Sequence, residues 1–362
     1  MVARKKMVVI AAAVVFVAAL IIMMPYIQAL LAILFHPTVP AYSDYQIQRD
    51  LILEANGGVV NNVSLDLPAP GNVNLTGEVQ TVSDVSYSMT PTESMKAGVP
   101  WLTWSGGMFQ GSERFDVRIT FSLHVEAKVW HIAASDSLNA SDIPSSLKTK
   151  YSGDEWKIVV DDPRIVNAAQ SIAGGEQNAE AALRDIYDWI TTNVHYYASS
   201  SADPASSVET LLSRAGDCDD QAILFCALAR ASGIPAWLQL GALYDRSTNE
   251  WGGHGWVQSY IPLKAGGGEY VVIDTVNREF LVWSPNKFLE YTDDGDAAHL
   301  YDYYYSFHLY YDELTYPPGV EPVFTESYAT LYHHDSSERI ALAIGAGTMM
   351  VTSVTRPGIA LA

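Results

Sequence analysis

The stretch that decides the fold is GDCDDQAILFCALARASGIP, residues 216–235. After an acidic opening it is apolar to Ala231, and it ends at Gly233 and Pro235, a combination that commonly stops a helix. The pattern predicts a buried helix whose first turn carries Cys218. Unpaired N–H groups and the positive end of the helix dipole favour a thiolate there, which is the nucleophilic form of cysteine.

The charges around this cysteine act in the opposite direction. Asp217, Asp219 and Asp220 would raise the pKa of the thiol unless their side chains point away. A residue that could accept the thiol proton is His254, which begins a predicted strand in GGHGWVQ, residues 252–258. A neutral imidazole accepts the thiol proton, and the imidazolium then holds the thiolate. We therefore expect Cys218 to be reactive at about pH 6.

A carboxylate follows at the end of the next predicted strand, YVVIDT, residues 270–275. Antiparallel neighbouring strands would bring Asp274 beside His254, where it would orient the second ring nitrogen. The backbone N–H of Cys218, at the helix start, is placed to donate to a developing oxyanion. Together the three side chains predict nucleophilic acyl transfer with Cys218, His254 and Asp274 as the catalytic residues.

These three motifs, in this order, resemble the transglutaminase-like superfamily, whose core has a G-x-C helix start, a strand beginning H-x-W-V and a strand ending in Asp. The resemblance extends over residues 161–277 and implies a papain-like α+β core. It also implies one of the family's activities, which include protein crosslinking, peptidase and amidase action, with some inactive relatives. Gly255 replaces a common Ala, and Gln258 replaces a common acidic residue.

The other cysteine and one further histidine are interpreted as structural. Eight helical residues separate Cys226 from Cys218, a rise of about 12 Å, which exceeds the roughly 7 Å reach of a disulfide. Cys226 is therefore predicted to be a core residue and Cys218 a free thiol. His195 lies in the matched region and is also assigned to structure. A zinc site at Cys218, His254 and Asp274 is a minor alternative, because paired Cys-x-x-Cys or His-x-x-x-His elements are missing.

Composition bounds the class of protein. With 49% hydrophobic and 17% charged residues, the 362-residue chain has enough apolar surface for a folded core. All 41 acidic residues lie after residue 43, together with only 18 of the 21 basic ones. A surface this acidic repels the phosphate backbone of nucleic acids. We therefore expect that the protein does not bind nucleic acids. No cofactor is predicted.

The N-terminus predicts a membrane anchor. Residues 7–35 contain no charged side chain, and this uncharged segment is long enough to span a bilayer. Arg4, Lys5 and Lys6 precede it. The positive-inside rule then places the N-terminus in the cytoplasm and the rest of the chain outside the cell membrane. N-x-S/T sequons at Asn62, Asn74 and Asn139 agree with export. Residues 340–355 are predicted to form a terminal strand, with a short membrane segment as the alternative.

The chain divides into five predicted parts. They are a cytoplasmic N-terminus and transmembrane helix (1–36), an antiparallel β-sandwich (40–150), the transglutaminase-like core (155–292), a Tyr-rich extension (293–338) and an apolar tail (339–362). The sandwich prediction depends on period-2 alternation, clearest from Phe115 to Val125. In the extension, Tyr301, Tyr303, Tyr305 and Phe307 would lie on one side of a strand.

Two function classes follow. The first is a cysteine-dependent peptidase, amidase or transglutaminase acting on protein or peptide amides outside the membrane. The second is a catalytically inactive binding or scaffold module that keeps the same fold.

Overall fold

The structure is a computed structural model, and it describes residues 38–198 and 203–342 together with Met23. The predicted membrane helix and most of the apolar tail lie outside the described residues. Within the described ranges, no helix is long and apolar enough to cross a membrane.

The elements are numbered in chain order. The strands are β1 (Thr38–Pro40), β2 (Tyr42–Glu54), β3 (Val59–Pro68), β4 (Val73–Asn74), β5 (Glu78–Tyr87), β6 (Thr92–Lys96), β7 (Val99–Gly106), β8 (Phe109–Gln110), β9 (Arg114–Glu126), β10 (Lys128–Val129), β11 (His195–Tyr196), β12 (Ala215–Gly216), β13 (Ala236–Asp245), β14 (Glu250–Pro262), β15 (Gly268–Asp274), β16 (Glu279–Phe280), β17 (Val282–Trp283), β18 (Lys287–Thr292), β19 (Phe307–Tyr311), β20 (Val323–Asp335) and β21 (Arg339–Ala341). The helices are α1 (Ser145–Tyr151), α2 (Pro163–Ala173), α3 (Ala179–Asn193), α4 (Ser207–Ser213), α5 (Cys218–Ala231) and α6 (Ala297–Tyr304), with 3₁₀ turns at Ala140–Asp142 and Glu313–Thr315.

Two antiparallel sheets are built mainly from the first third of the chain. One has the strand order β20-β2-β9-β5-β4, and the other β19-β3-β7-β6 with β8 also paired to β3. Burial alternates along β9 as the sequence predicts, so that every second residue from Phe115 to Val125 is buried. The inward side chains of the two sheets are in contact. Gly106 of β7 faces Phe115 of the other sheet, and a Cβ atom added at Gly106 would lie 2.7 Å from Phe115 and 2.7 Å from Val63 of the neighbouring strand β3.

The C-terminal third of the described chain returns to these sheets. Strand β20 pairs with β2 from Val323 to Asp335, and β19 pairs with β3. The sequence interpretation of a strand through Tyr301 and Tyr303 is wrong, because both residues lie on α6. The Asp296 side chain caps that helix by accepting the Ala298 N–H at 2.9 Å. A strand begins only at Phe307.

The remaining elements surround α5. Side-chain caps explain where the neighbouring helices start: Asp162 precedes Pro163 of α2, Asn178 caps α3, and Ser206 forms a capping box with Glu209 of α4. Helix α5 is buried along almost its whole length. It packs on an antiparallel sheet of order β16-β15-β14-β13-β18.

One glycine permits the edge strand of this sheet to approach closely. A Cβ atom at Gly241 would lie 1.9 Å from the carbonyl oxygen of Phe288, so only glycine fits at this point, where β18 pairs with β13. The register shifts at the same point, between Leu240 and Gly241. This approach positions Lys287, the first residue of β18, near the candidate site described below. The division of the chain into five parts stays a prediction.

Smaller sequence features also have a place in the structure. Asn62, Asn74 and Asn139 are all exposed. His195 lies on the short strand β11, which is paired in parallel with β12. Arg339–Ala341 forms a strand with Thr38–Pro40, which accounts for the first two residues of the predicted terminal strand; residue 342 is not in a strand, and residues 343–355 lie outside the described residues.

Candidate active site

Cys218 is the first residue of α5, as the sequence predicts, and two of the neighbouring aspartates are occupied in forming the helix start. The Asp217 side chain accepts the Asp220 N–H, while Asp220 Oδ2 accepts the Asp217 N–H at 3.2 Å. Asp220 Oδ1 also accepts the Ala205 N–H at 2.6 Å. The N–H of Cys218 itself has no intrahelical acceptor, because it lies in the first turn.

The third aspartate faces the thiol. Cys218 Sγ donates to Asp219 Oδ1 at 3.6 Å. Burial and the charge of Asp217 raise the pKa of Asp219 to about 6, against the lowering effects of Tyr304 and His254. Gly255 makes this position available, since a Cβ atom there would lie 2.3 Å from Asp219 Oδ1. The Ala that is common at this position in the superfamily the sequence resembles would place its Cβ atom against the Asp219 carboxylate.

The environment of Cys218 holds the proton on sulfur. Although part of its surface is accessible, burial and the charges of Asp219 and Asp217 raise the pKa of Cys218 well above its ordinary value. The Gly255 N–H, which points to the sulfur, offsets only part of this effect. These effects oppose the thiolate that the helix start favours, because two carboxylates and desolvation act against it. The expected reactivity of Cys218 at about pH 6 stays a prediction.

His254 and Asp274 meet as the strand prediction requires. They lie on the adjacent strands β14 and β15, and His254 Nε2 is 2.8 Å from Asp274 Oδ2. Both residues are buried, at 4% and 1% exposure. A carboxylate can only accept, so this bond favours the tautomer of the neutral ring with its proton on Nε2, an atom that also lies 3.1 Å from the Asn277 amide nitrogen. The lone pair of Nδ1 is then free, and Nδ1 makes no hydrogen bond to another described residue.

Further groups on Asp274 were not found from the sequence. Asn277 donates to Asp274 through its backbone N–H at 3.0 Å and through its amide at 2.9 Å. Lys287 Nζ lies 2.8 Å from Asp274 Oδ2 and 2.6 Å from Glu279 Oε2. Lys287 comes from β18, at the opposite edge of the sheet from β15 and β16, so sequence proximity gave no signal for this contact.

Helix α6 adds an aromatic side to the site. The ring of Tyr304 packs against Trp156 with centroids 4.8 Å apart. Its buried hydroxyl is directed at Asp219, and burial together with the nearby Asp219 and Cys218 raises the pKa of Tyr304. Because the sequence placed this tyrosine on a strand, its approach to the thiol was missed.

The second cysteine is structural, as predicted. Cys226 is fully buried on α5, and both cysteines are free. Burial raises the pKa of the Cys226 thiol. Among the described residues, no group of three or more His, Cys, Asp and Glu side chains is arranged to hold a metal ion.

Comparison with known proteins supports the same core. Residues 166–275, which include all three catalytic candidates, match the model of the transglutaminase-like superfamily. Uncharacterised proteins of Mycobacterium bovis and Mycobacterium tuberculosis are 26% identical over 157 residues, or 40% of this chain. The match covers 48% of these relatives, so the chain spans about half the length of the curated relatives it matches.

The fold is shared with a solved structure. A candidate cysteine protease from Cytophaga hutchinsonii aligns with a TM-score of 0.55 and 18% identity, covering 84% of this chain and 92% of that one. At that identity the likeness shows the fold alone. The periplasmic domain of TgpA from Pseudomonas aeruginosa aligns at 13% identity over 67% of this chain and 89% of that one, with a TM-score of 0.32, too low to support an argument.

Proposed function

Because residues 166–275 form a transglutaminase-like domain, we propose that this protein is a cysteine-dependent acyl-transfer enzyme acting on protein or peptide amides. The observation that carries the proposal is the buried His254–Asp274 pair, with Nδ1 free and the adjacent Gly255 N–H directed at Cys218. Cys218 is the proposed nucleophile, His254 the general base and acid, and Asp274 the residue that orients the imidazole.

The proposed reaction starts from a neutral thiol. As Cys218 Sγ attacks the amide carbon, its proton passes to Nδ1 of His254, and the Cys218 N–H donates to the carbonyl oxygen that becomes negative. The carbon–nitrogen bond then breaks, and the imidazolium returns the proton to the leaving amine. The product is a thioester on Cys218. Water or a second amine attacks the thioester and gives its proton to His254. The carbon–sulfur bond then breaks, the acid or the new amide leaves, and the imidazolium returns the proton to sulfur, which regenerates the thiol.

Hydrolysis and transamidation share the first half of this reaction. We favour peptidase or amidase action. The test is mass spectrometry of glutamine-containing peptides incubated with the protein, with and without a primary amine, because cleavage, deamidation and amine incorporation give different masses. We expect one of these products with the unaltered protein.

Two cysteine variants make that test specific. Cys218→Ala should abolish product formation and leave the fold intact, since alanine suits the first turn of a helix. Cys226→Ala is the matched control, on the same helix but away from the site, and should keep the activity. Full turnover by Cys218→Ala would refute the nucleophile assignment.

A second candidate function is a catalytically inactive binding or scaffold module. The raised pKa of Cys218 favours it, because a firmly protonated thiol is a poor nucleophile. This candidate predicts no change of peptide mass under any condition, together with a thiol reactivity that does not respond to His254→Ala.

We also propose that the chain is anchored in the cell membrane by residues 7–35, with the site outside the cytoplasm. The support is the uncharged segment and the basic residues before it. A protease added to intact cells should then degrade the chain beyond about residue 40. Protection of the Cys218 region from that protease, with degradation after lysis, would contradict this orientation.

A further inference from the structure

A fully buried lysine shares the carboxylate of the proposed triad. Lys287 is 0% exposed, and its Nζ lies 2.8 Å from Asp274 Oδ2, the same oxygen that binds His254 Nε2 at 2.8 Å. Its second partner, Glu279 Oε2, is 2.6 Å away. The other oxygen of Glu279 accepts a short hydrogen bond from the Ser284 hydroxyl.

These partners keep the lysine charged. Burial alone would lower the pKa of Lys287, but Asp274 and Glu279 outweigh it and raise that pKa. Burial likewise disfavours ionisation of Asp274, yet Lys287, His254 and Asn277 together hold the pKa of Asp274 below its ordinary value. The cluster therefore contains two carboxylates and one ammonium before His254 is counted.

We propose that Lys287 is a positioning residue for His254: by sharing Asp274 Oδ2 with the imidazole, its ammonium limits how strongly the carboxylate favours the imidazolium form. The inference depends on the proposed acyl-transfer function for its catalytic meaning. In that reaction His254 must accept a proton from sulfur and then release it to the leaving amine. Two unopposed buried carboxylates would favour the charged ring and slow the second transfer.

Other charged and titratable groups face this cluster and must stay constant in a test. They are Cys218 and Asp219 from α5, Tyr187 from α3, and Arg278 from the turn after β15. Trp256 is the neutral boundary, with Lys287 Nζ 5.6 Å from its ring centroid and the His254 ring stacked on it at 5.7 Å. Cys218 is replaced by alanine in every protein that is compared, and the other residues named here are not changed in the variants below.

The experiment measures the pKa of the His254 imidazole by NMR in the full chain carrying Cys218→Ala. Three further variants alter the charge of the cluster: Lys287→Met removes a positive charge, Glu279→Gln removes a negative charge, and the double variant removes both. We expect His254 to titrate about one pH unit higher in Lys287→Met and to shift downward in Glu279→Gln. The double variant should lie close to the parent.

The order of the His254 pKa in the three variants decides the inference. If Lys287 served only to hold the fold together, Lys287→Met and Glu279→Gln would not shift this pKa in opposite directions. If Lys287→Met does not fold, Glu279→Gln is compared with the double variant instead. The His254 pKa must then be lower in Glu279→Gln than in the double variant. An unchanged His254 pKa across the folded variants would overturn the inference.

Failure of the proposed function gives a different result. With Cys218 present, the acidic limb of kcat/KM should follow the same order as the imidazole pKa, because His254 must be neutral to accept the thiol proton. If the intact protein shows no turnover but the imidazole order holds, the acyl-transfer proposal fails while the coupling of Lys287 to His254 stands.

Discussion

Beside Cys218, the position of the Asp219 carboxylate depends on the absence of a Cβ atom at residue 255. Asp219 can approach the thiol because residue 255 is glycine. Where the family commonly has Ala, the added carbon would occupy the position of the Asp219 carboxylate. Gly255 and Asp219 should therefore be energetically coupled, and the coupling can be measured by a double-mutant cycle.

We expect Gly255→Ala to destabilise the protein by about 1–3 kcal/mol, because the new Cβ would lie 2.3 Å from Asp219 Oδ1 and 3.1 Å from Leu240. Adding Asp219→Ala should recover much of this loss, since the clashing atoms are removed. The measurement is the free energy of unfolding of the two single variants and the double variant. Simple additivity would contradict the proposed contact.

Gly253→Ala is the matched control for that cycle. It lies on the same strand two residues earlier, and a Cβ atom there would meet nothing within 4 Å. Its stability should change much less than that of Gly255→Ala. The titration of Cys218 gives an independent check: displacing the Asp219 carboxylate should lower the thiol pKa, because the negative charge beside the sulfur helps to raise it.

At the scale of elements, local patterns predicted the parts of the site that depend on them. Period-2 alternation and the G-x-C helix start placed Cys218, His254 and Asp274 on α5, β14 and β15, and the pairing of β14 with β15 brings the last two together. Period 2 failed at Tyr301 and Tyr303, because a row of aromatic residues is also compatible with a helix once Asp296 provides a cap.

The residues that the sequence did not reveal all reach the site from other elements. Lys287 comes from a strand that is not a neighbour of β15, and Tyr304 comes from α6. Their contacts follow from tertiary packing, for which a single sequence has no periodic signal. The pKa of Cys218 likewise depends on where the Asp219 side chain points, which the sequence leaves open.

At the scale of the molecule, a buried ion pair joins the first described strands to the core sheet. Arg49 of β2 is 4% exposed and makes a short ion pair with Glu290 of β18. Its Nε also lies 2.7 Å from Glu326 of β20, and the Tyr303 hydroxyl of α6 donates to Glu290 at 3.1 Å. One guanidinium thus connects elements from the beginning, middle and end of the described chain.

We expect Arg49→Met to destabilise the protein by about 3–5 kcal/mol near neutral pH, because it leaves Glu290 charged and buried without its cation. Burial raises the pKa of Glu290 and Arg49 opposes that rise, so loss of Arg49 should raise this pKa further. A carboxyl that binds its proton more tightly in the folded state loses stability as pH increases. The defect should therefore be smaller at about pH 5 than at about pH 8, as measured by denaturant unfolding.

Two variants show whether the unpaired carboxylate is the cause. Arg49→Met combined with Glu290→Gln removes both charges, so it should recover stability and lose the added pH dependence. Arg118→Met is the surface control: Arg118 is paired with Asp50 at 2.6 Å, but its side chain is 50% exposed, and solvent screens such a pair. If Arg49→Met were no less stable than Arg118→Met at any pH, the buried pair would not be what couples the two sheets to the core, and the apolar contacts between them would have to do so.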